Sequence, residues 1–70
     1  MKIILNGKER EAKDDITVAQ LISDLNVNIK NVAVELNLNI LNKSEYAAIK
    51  LKQNDRVEIV LPIGGGSLMI

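Results

Sequence analysis

Cysteine and histidine are both missing from this 70-residue chain, and two large classes of chemistry go with them. Without thiols there is no disulfide framework and no thiolate ligand, a composition suited to a reducing cytoplasm. Without imidazole, the commonest general base and the commonest zinc ligand are gone. Phenylalanine and tryptophan are absent too, and Tyr46 is the one aromatic residue. Any core must therefore be assembled from Ile, Leu and Val. Excess charge is also lacking: nine basic and nine acidic residues cancel, so no net field favours nucleic acid or an anionic membrane. No apolar run approaches the ~20 residues of a membrane span. The apolar opening Met1-Lys2-Ile3-Ile4-Leu5 gives way to Asn6-Gly7 and a charged stretch, too soon for a signal peptide. These absences predict one small, soluble, cytoplasmic domain, monomeric when free, with neither nucleic acid nor membrane as partner.

What is present is enough to fold. Hydrophobic residues make up 47% of the chain, well above a disordered composition. Ile3-Ile4-Leu5, Asn6-Gly7 and Lys8-Glu9-Arg10-Glu11 read as a hairpin, because Asn-Gly supplies the positive φ that a type I′ turn requires. The charged second strand suits an exposed edge. Thr17 followed by Gln20 spells a capping box, and Ile16 with Leu21 a hydrophobic staple. Val18, Leu21, Ile22 and Leu25 then form one apolar stripe at helical spacing, with Asn26 as a left-handed stop. Val32 to Leu36 alternates as a strand, Asn37 and Asn39 mark a turn, and Ile40-Leu41 resumes pairing briefly. Ser44 is read as the cap of a short helical turn over Ser44 to Ala47. Ile49-Lys50-Leu51 is a short strand or an extended connection. Arg56 to Leu61 is the best strand in the chain, and Pro62, lacking a ladder donor, is expected to end it. Strands around a single helix indicate an α+β domain, with the first and last strands adjacent and parallel. The domain is expected to span 1–61, with 62–70 a flexible tail.

Catalytic constellations are hard to find. Glu9, Glu11, Asp14, Asp15, Asp55 and Glu58 are scattered over hairpin, turn and strand positions and read as solvated charge. Gly64-Gly65-Gly66 is no phosphate loop, since neither a Lys-Ser/Thr pair nor a following helix completes one. The expectation is that the chain is no enzyme and binds no metal or cofactor itself. A glycine run near a chain end has another use. With no Cβ, it is thin enough to thread a narrow channel and present a carboxylate to another protein's catalytic groups. A plain flexible linker is the alternative.

Over nearly its full length the chain resembles the ThiS family, bacterial sulfur carriers of thiamine biosynthesis with the ubiquitin-like β-grasp fold. The resemblance is carried by Ile3-Ile4-Leu5-Asn6-Gly7-Lys8, Ile16-Thr17-Val18 with Leu21-Ile22, and Val32 to Asn37. Asp55-Arg56-Val57-Glu58-Ile59-Val60 and the closing Gly64-Gly65-Gly66 complete it. It implies a mixed sheet of four to five strands with one main helix across it. It also implies that Gly66 holds the reacting carboxylate, with Gly64 and Gly65 as the threading tail. A ThiF-type adenylyltransferase would adenylate that carboxylate with ATP and magnesium, and a sulfur donor would convert it to a thiocarboxylate. Thiazole synthase, ThiG, would then accept the sulfur. Ser67-Leu68-Met69-Ile70 departs from the family, whose mature chain stops at the glycines. It is read as a propeptide removed by a protease, with a cloning remnant or an unconjugated paralogue as alternatives. The small subunit of molybdopterin synthase, and carriers for methionine, cysteine or siderophore assembly, are the alternatives within this chemistry. A ubiquitin-like binding module without sulfur chemistry is the alternative outside it.

Alternation along the last strand sends Val57, Ile59 and Leu61 to one face and Glu58 and Val60 to the other. On the first strand, Ile3 and Leu5 turn inward and Ile4 outward. Ile4, Glu58 and Val60 are therefore expected to form a partner-docking face beside the reacting tail, by analogy with ubiquitin-like proteins.

Overall fold

The structure, a computed structural model, describes residues 1–63 and 66–69. Six strands and one α-helix follow in the order β1 (Lys2–Leu5), β2 (Lys8–Glu11), α1 (Val18–Asp24), β3 (Ala33–Leu36), β4 (Asn39–Ile40), β5 (Arg56–Ile63) and β6 (Gly66–Met69). One mixed sheet runs β2-β1-β5-β3-β4, with β6 attached to β5. The chain's two ends meet in the middle of it. β1 and β5 pair in parallel, Ile4 with Arg56 and Leu5 with Val57, while β3 lies antiparallel on the other edge of β5.

With the exception of Leu38, the positive-φ positions are held by residues best able to adopt them. Asn6 (49°) and Gly7 (82°) connect β1 to β2, and Asp15, Asn26 and Asn54 occupy the left-handed region elsewhere. A Cβ on Gly7 would meet nothing within 4 Å, so its backbone angle, and not its space, calls for glycine.

The helix is specified locally at both ends. Thr17 Oγ1 accepts the Gln20 N–H at 3.1 Å, and Gln20 Oε1 accepts the Thr17 N–H at 2.9 Å. The Val18 and Ala19 amides donate to the carbonyls of Ile49 (3.0 Å) and Tyr46 (2.9 Å). Every amide of the first turn thus has a partner, and the same bonds tie the helix to the 46–51 connection. Tyr46 to Ala48 continue the preceding turn, and at Lys50 the connection is extended, where Thr17 and Lys50 form an isolated antiparallel bridge. The short turn before it is a 3-10 turn over Lys43–Glu45. Its cap is Asn42 and not Ser44, because the Glu45 carboxylate reaches back to the Asn42 N–H at 2.9 Å.

Ile3, Leu5, Val18, Leu21, Ile22, Val34, Val57 and Ile59 are all buried between helix and sheet, joined by Ile16, Val32, Tyr46 and Leu51. Tyr46, the largest of them, donates its hydroxyl to the Val32 carbonyl at 3.5 Å. Burial raises its phenol pKa above the ordinary value, and a backbone hydrogen bond at Val34 opposes that shift.

β5 does not stop at Pro62, contrary to the expectation from sequence. It continues to Ile63 because Gly66–Met69 pairs with it antiparallel, Val60 opposite Met69 and Ile63 opposite Gly66. The proline is tolerated for a geometric reason. Ile59 points both backbone groups toward the β1 edge, where they meet Asn6. By alternation Leu61 and Ile63 also face that edge, and the nitrogen of residue 62 faces the other. β3 ends its ladder there at Ala33, opposite Val60. No strand calls on the missing N–H. The boundary expected at residue 61 therefore falls inside β5. Gly64 and Gly65 lie outside the described residues.

Leu21, 1% exposed, is the centre of the helix stripe. Leu21→Ala should lower the free energy of unfolding by about 2–5 kcal/mol, measured by urea titration. A loss below about 1 kcal/mol, typical of surface substitutions, would contradict this packing.

Candidate functional site

β5 leads from the core into the glycine run, so whatever fixes β5 fixes where the glycines begin. Its β1 edge is shared by three partners in succession. β1 pairs at Arg56 and Val57, and β6 pairs from Val60 onward. Asn6 fills the step between them. Its backbone N–H donates to the Val57 carbonyl at 2.9 Å. Its side-chain amide then acts as a peptide would: Oδ1 accepts the Ile59 N–H at 2.8 Å, and Nδ2 donates to the Ile59 carbonyl at 3.2 Å. The left-handed turn at Asn6 aims the side chain along the sheet instead of away from it. This clamp was not read from the sequence, where Asn6 registered only as a turn residue. A side chain completing a ladder across 53 positions leaves no local signal.

The outer face of the sheet collects the residues expected there. Ile4, Glu58 and Val60 are half-buried, opposite in parity to the buried Ile3, Leu5, Val57 and Ile59. Ile4 lies level with Arg56, and Val60 lies two outward positions further toward the glycines. Ala33 stands opposite Val60, and Glu35 opposite Glu58. Two carboxylates directly across a ladder repel. The ion pairs among the described residues lie elsewhere, at Met1 with Glu11 and Asp14, and at Lys2 with Glu9.

Two residues of this side were missed. Ile40, paired with Glu35 and so on the same face, is 78% exposed, and Leu38 is 85% exposed. Leu38 sits at φ 72° beside Asn37 at 50°, in a two-residue turn whose second position favours glycine. Asn37 holds that turn to β5 by accepting the Arg56 N–H at 2.9 Å and donating to Asp55 at 3.0 Å. The available signal for Ile40 was the hairpin: a two-residue turn at Asn37-Leu38 sets Ile40 opposite Glu35 and so on its outward face.

Among the described residues no group of three or more His, Cys, Asp or Glu is placed to hold a metal. A groove lined by Arg10, Ala12, Ile16, Leu21 and Asp24 is built by β2 and α1, elements that do not carry the glycines. Nor is any helix of the described residues long and apolar enough to cross a membrane. Gly66 is placed in β6, opposite Ile63, while Gly64 and Gly65 lie outside the described residues.

One helix across a mixed sheet whose first and last strands are parallel neighbours defines a ubiquitin-like β-grasp domain. The chain overlays the crystal structure of the thiamine biosynthesis protein ThiS from Geobacter metallireducens with a TM-score of 0.82, at 33% identity over 94% of this chain and 100% of that one. The ThiS family model matches residues 3–66, and the chain belongs to that family. The sulfur carrier protein ThiS of Bacillus subtilis is 38% identical over 89% of this chain and 96% of its own length. A thiazole synthase of Paramagnetospirillum magneticum is 46% identical over 96% of this chain. Another from Magnetococcus marinus is 38% identical over 94%. The chain spans about a fifth of the length of these two proteins, 21% and 20%.

The Asn6 clamp can be separated from the Asn6 turn. Asn6→Gly keeps the positive φ and removes the side chain that pairs with Ile59. It should cost about 1–3 kcal/mol, the range for leaving a buried polar group unpaired. Hydrogen exchange at the Ile59 amide should accelerate by the corresponding factor. An unchanged Ile59 exchange rate would show that the clamp does not hold.

Proposed function

We propose that this chain is a sulfur carrier of thiamine biosynthesis, a protein substrate and not a catalyst. The observation that carries the reading is the family match, which spans the folded domain and reaches Gly66 while leaving out Ser67 to Ile70. Gly66 then supplies the reacting carboxylate once the bond to Ser67 is broken. A ThiF-type partner using ATP and magnesium joins AMP to that carboxylate and releases pyrophosphate. Adenylation replaces a poor leaving group by a good one. The terminal sulfur of a persulfide-bearing donor displaces AMP and forms an acyl disulfide. A thiol then reduces its S–S bond, leaving a disulfide on the donor side and freeing the thiocarboxylate, which a thiazole synthase consumes. Glycine suits this chemistry because it leaves the carbonyl uncrowded and the approach thin. The names of the two thiazole synthases support that partner, since each contains a stretch like this whole chain.

Intact-mass spectrometry tests the reading. A chain ending at Gly66, incubated with the activating enzyme, ATP, magnesium and sulfide, should exchange one oxygen for one sulfur. The chain continuing to Ile70 should stay unmodified, and Gly66→Ala in the shortened chain should slow transfer. If the Gly66-ending chain is never adenylated, the reading fails and a binding module without sulfur chemistry replaces it.

Docking to the activating enzyme is assigned to the outer face bearing Ile4, Glu58 and Val60, a surface of apolar side chains and carboxylates leading toward the reacting glycine. Ile4→Asp and Val60→Asp should each weaken binding about tenfold, equivalent to about 1.4 kcal/mol, in a calorimetric titration. Their thermal midpoints should stay near the parent's. Parent-like affinity in both variants would remove this face from the proposal.

A further inference from the structure

We infer that Gly66–Met69 is a latch, closed on the edge of β5, that withholds the Gly66–Ser67 bond until it opens. The inference rests on Gly66 as the reacting residue and adds a control on its availability.

The geometry follows from the register. Val60 pairs with Ala33 on one edge of β5 and with Met69 on the other, so β6 lies on the edge that β1 leaves after Val57. Ile59 turns its backbone groups to that edge, toward Asn6. Leu61 and Ile63, of the same parity, turn theirs to β6. In an antiparallel ladder, opposed residues that face each other exchange both hydrogen bonds. Leu61 with Leu68 and Ile63 with Gly66 are therefore the bonded pairs. The Gly66 carbonyl is the acceptor for the Ile63 N–H.

Two consequences bear on chemistry. Enzymes that cut or modify a peptide segment take it as an extended strand and pair with its backbone. Here the backbone edge of Gly66 is already occupied within the chain. Four residue pairs on one edge make a weak ladder that opens readily. A closed latch also covers the end of β5, an open edge that would otherwise invite pairing between molecules.

Amide hydrogen exchange on the 70-residue chain tests this without any partner protein, so its outcome is separate from that of the carrier reading. The Leu61 and Ile63 amides should exchange more slowly than in a chain ending at Gly66, by about tenfold for a ladder bond of ordinary strength. Leu68→Pro removes a donor to Leu61 and should erase that protection. It should also speed cleavage of the tail by proteinase K to a similar degree. Met69→Pro, whose nitrogen faces away from β5, should alter both rates by less than about threefold. Equal exchange at Leu61 and Ile63 in the long and short chains would overturn the latch. So would proteinase K cleavage that is equally fast in the parent and in Leu68→Pro.

Discussion

The parallel contact between β1 and β5 is the constraint on which the rest of the structure depends. It joins residues about fifty positions apart through two ladder pairs, and closing so long a loop costs entropy before any contact repays it. The ladder itself is short. Its ends are extended by the Ile4 amide donating to Asp55 and the Asn6 amide donating to Val57, both at 2.9 Å. The Asn6 side chain then carries the pairing one step further, to Ile59. Burial supplies what these few bonds cannot. Ile3 and Leu5 of β1 lie with Val57 and Ile59 of β5 beneath Leu21 and Ile22 of the helix. The buried apolar side chains that close the loop are on the inner face, while Ile4, which pairs with Arg56, turns to the outer one.

Features encoded within a few residues were legible in the sequence. The capping box of Thr17 and Gln20, the staple of Ile16 and Leu21, and the stop at Asn26 each need only a turn of helix to act. The Asn6-Gly7 hairpin is of the same kind, since positive φ at both positions is a local demand. The burial parity of β1 and β5 was legible too, because alternation is fixed by the strand itself. What failed was less local. Ser44 had the right chemistry for a cap, but Asn42 stands three residues before Glu45, whose carboxylate closes the turn. Pro62 was judged as though both edges of β5 were in use. At that position one is not, and only the paired structure of β3 and β6 shows which.

The candidate site was legible in part for the same reason. Ile4, Glu58 and Val60 were placed on the outer face by parity alone, and the structure puts them there. Their neighbours depended on register, which pattern does not reveal. Glu58 faces Glu35 and Val60 faces Ala33 because β3 is held at one particular offset on β5. Ile40 joins them through the short β4. In the carrier reading the glycines are chemistry without a site, since a carbonyl that another protein modifies needs no catalytic neighbour of its own.

The outer face and the β3–β4 turn hold local choices that do not serve the isolated domain. Glu35 and Glu58 repel across the ladder, at a cost of a few tenths to about 1 kcal/mol. Leu38 occupies a left-handed position at about 1–2 kcal/mol above what glycine would need, and it gains no burial in return. Ile40 is left in water on the same face as the carboxylates. A sequence shaped for stability alone would correct each of these with one substitution. The inner face offers no such correction, for its apolar residues are covered and no buried polar side-chain atom lacks a partner among the described residues. Local conflict is thus confined to one side of a consistent fold, the distribution expected where a surface answers to a partner as well as to the chain. In the carrier reading that side leads along β5 to Gly66, so the uncorrected choices lie where the activating enzyme is proposed to dock.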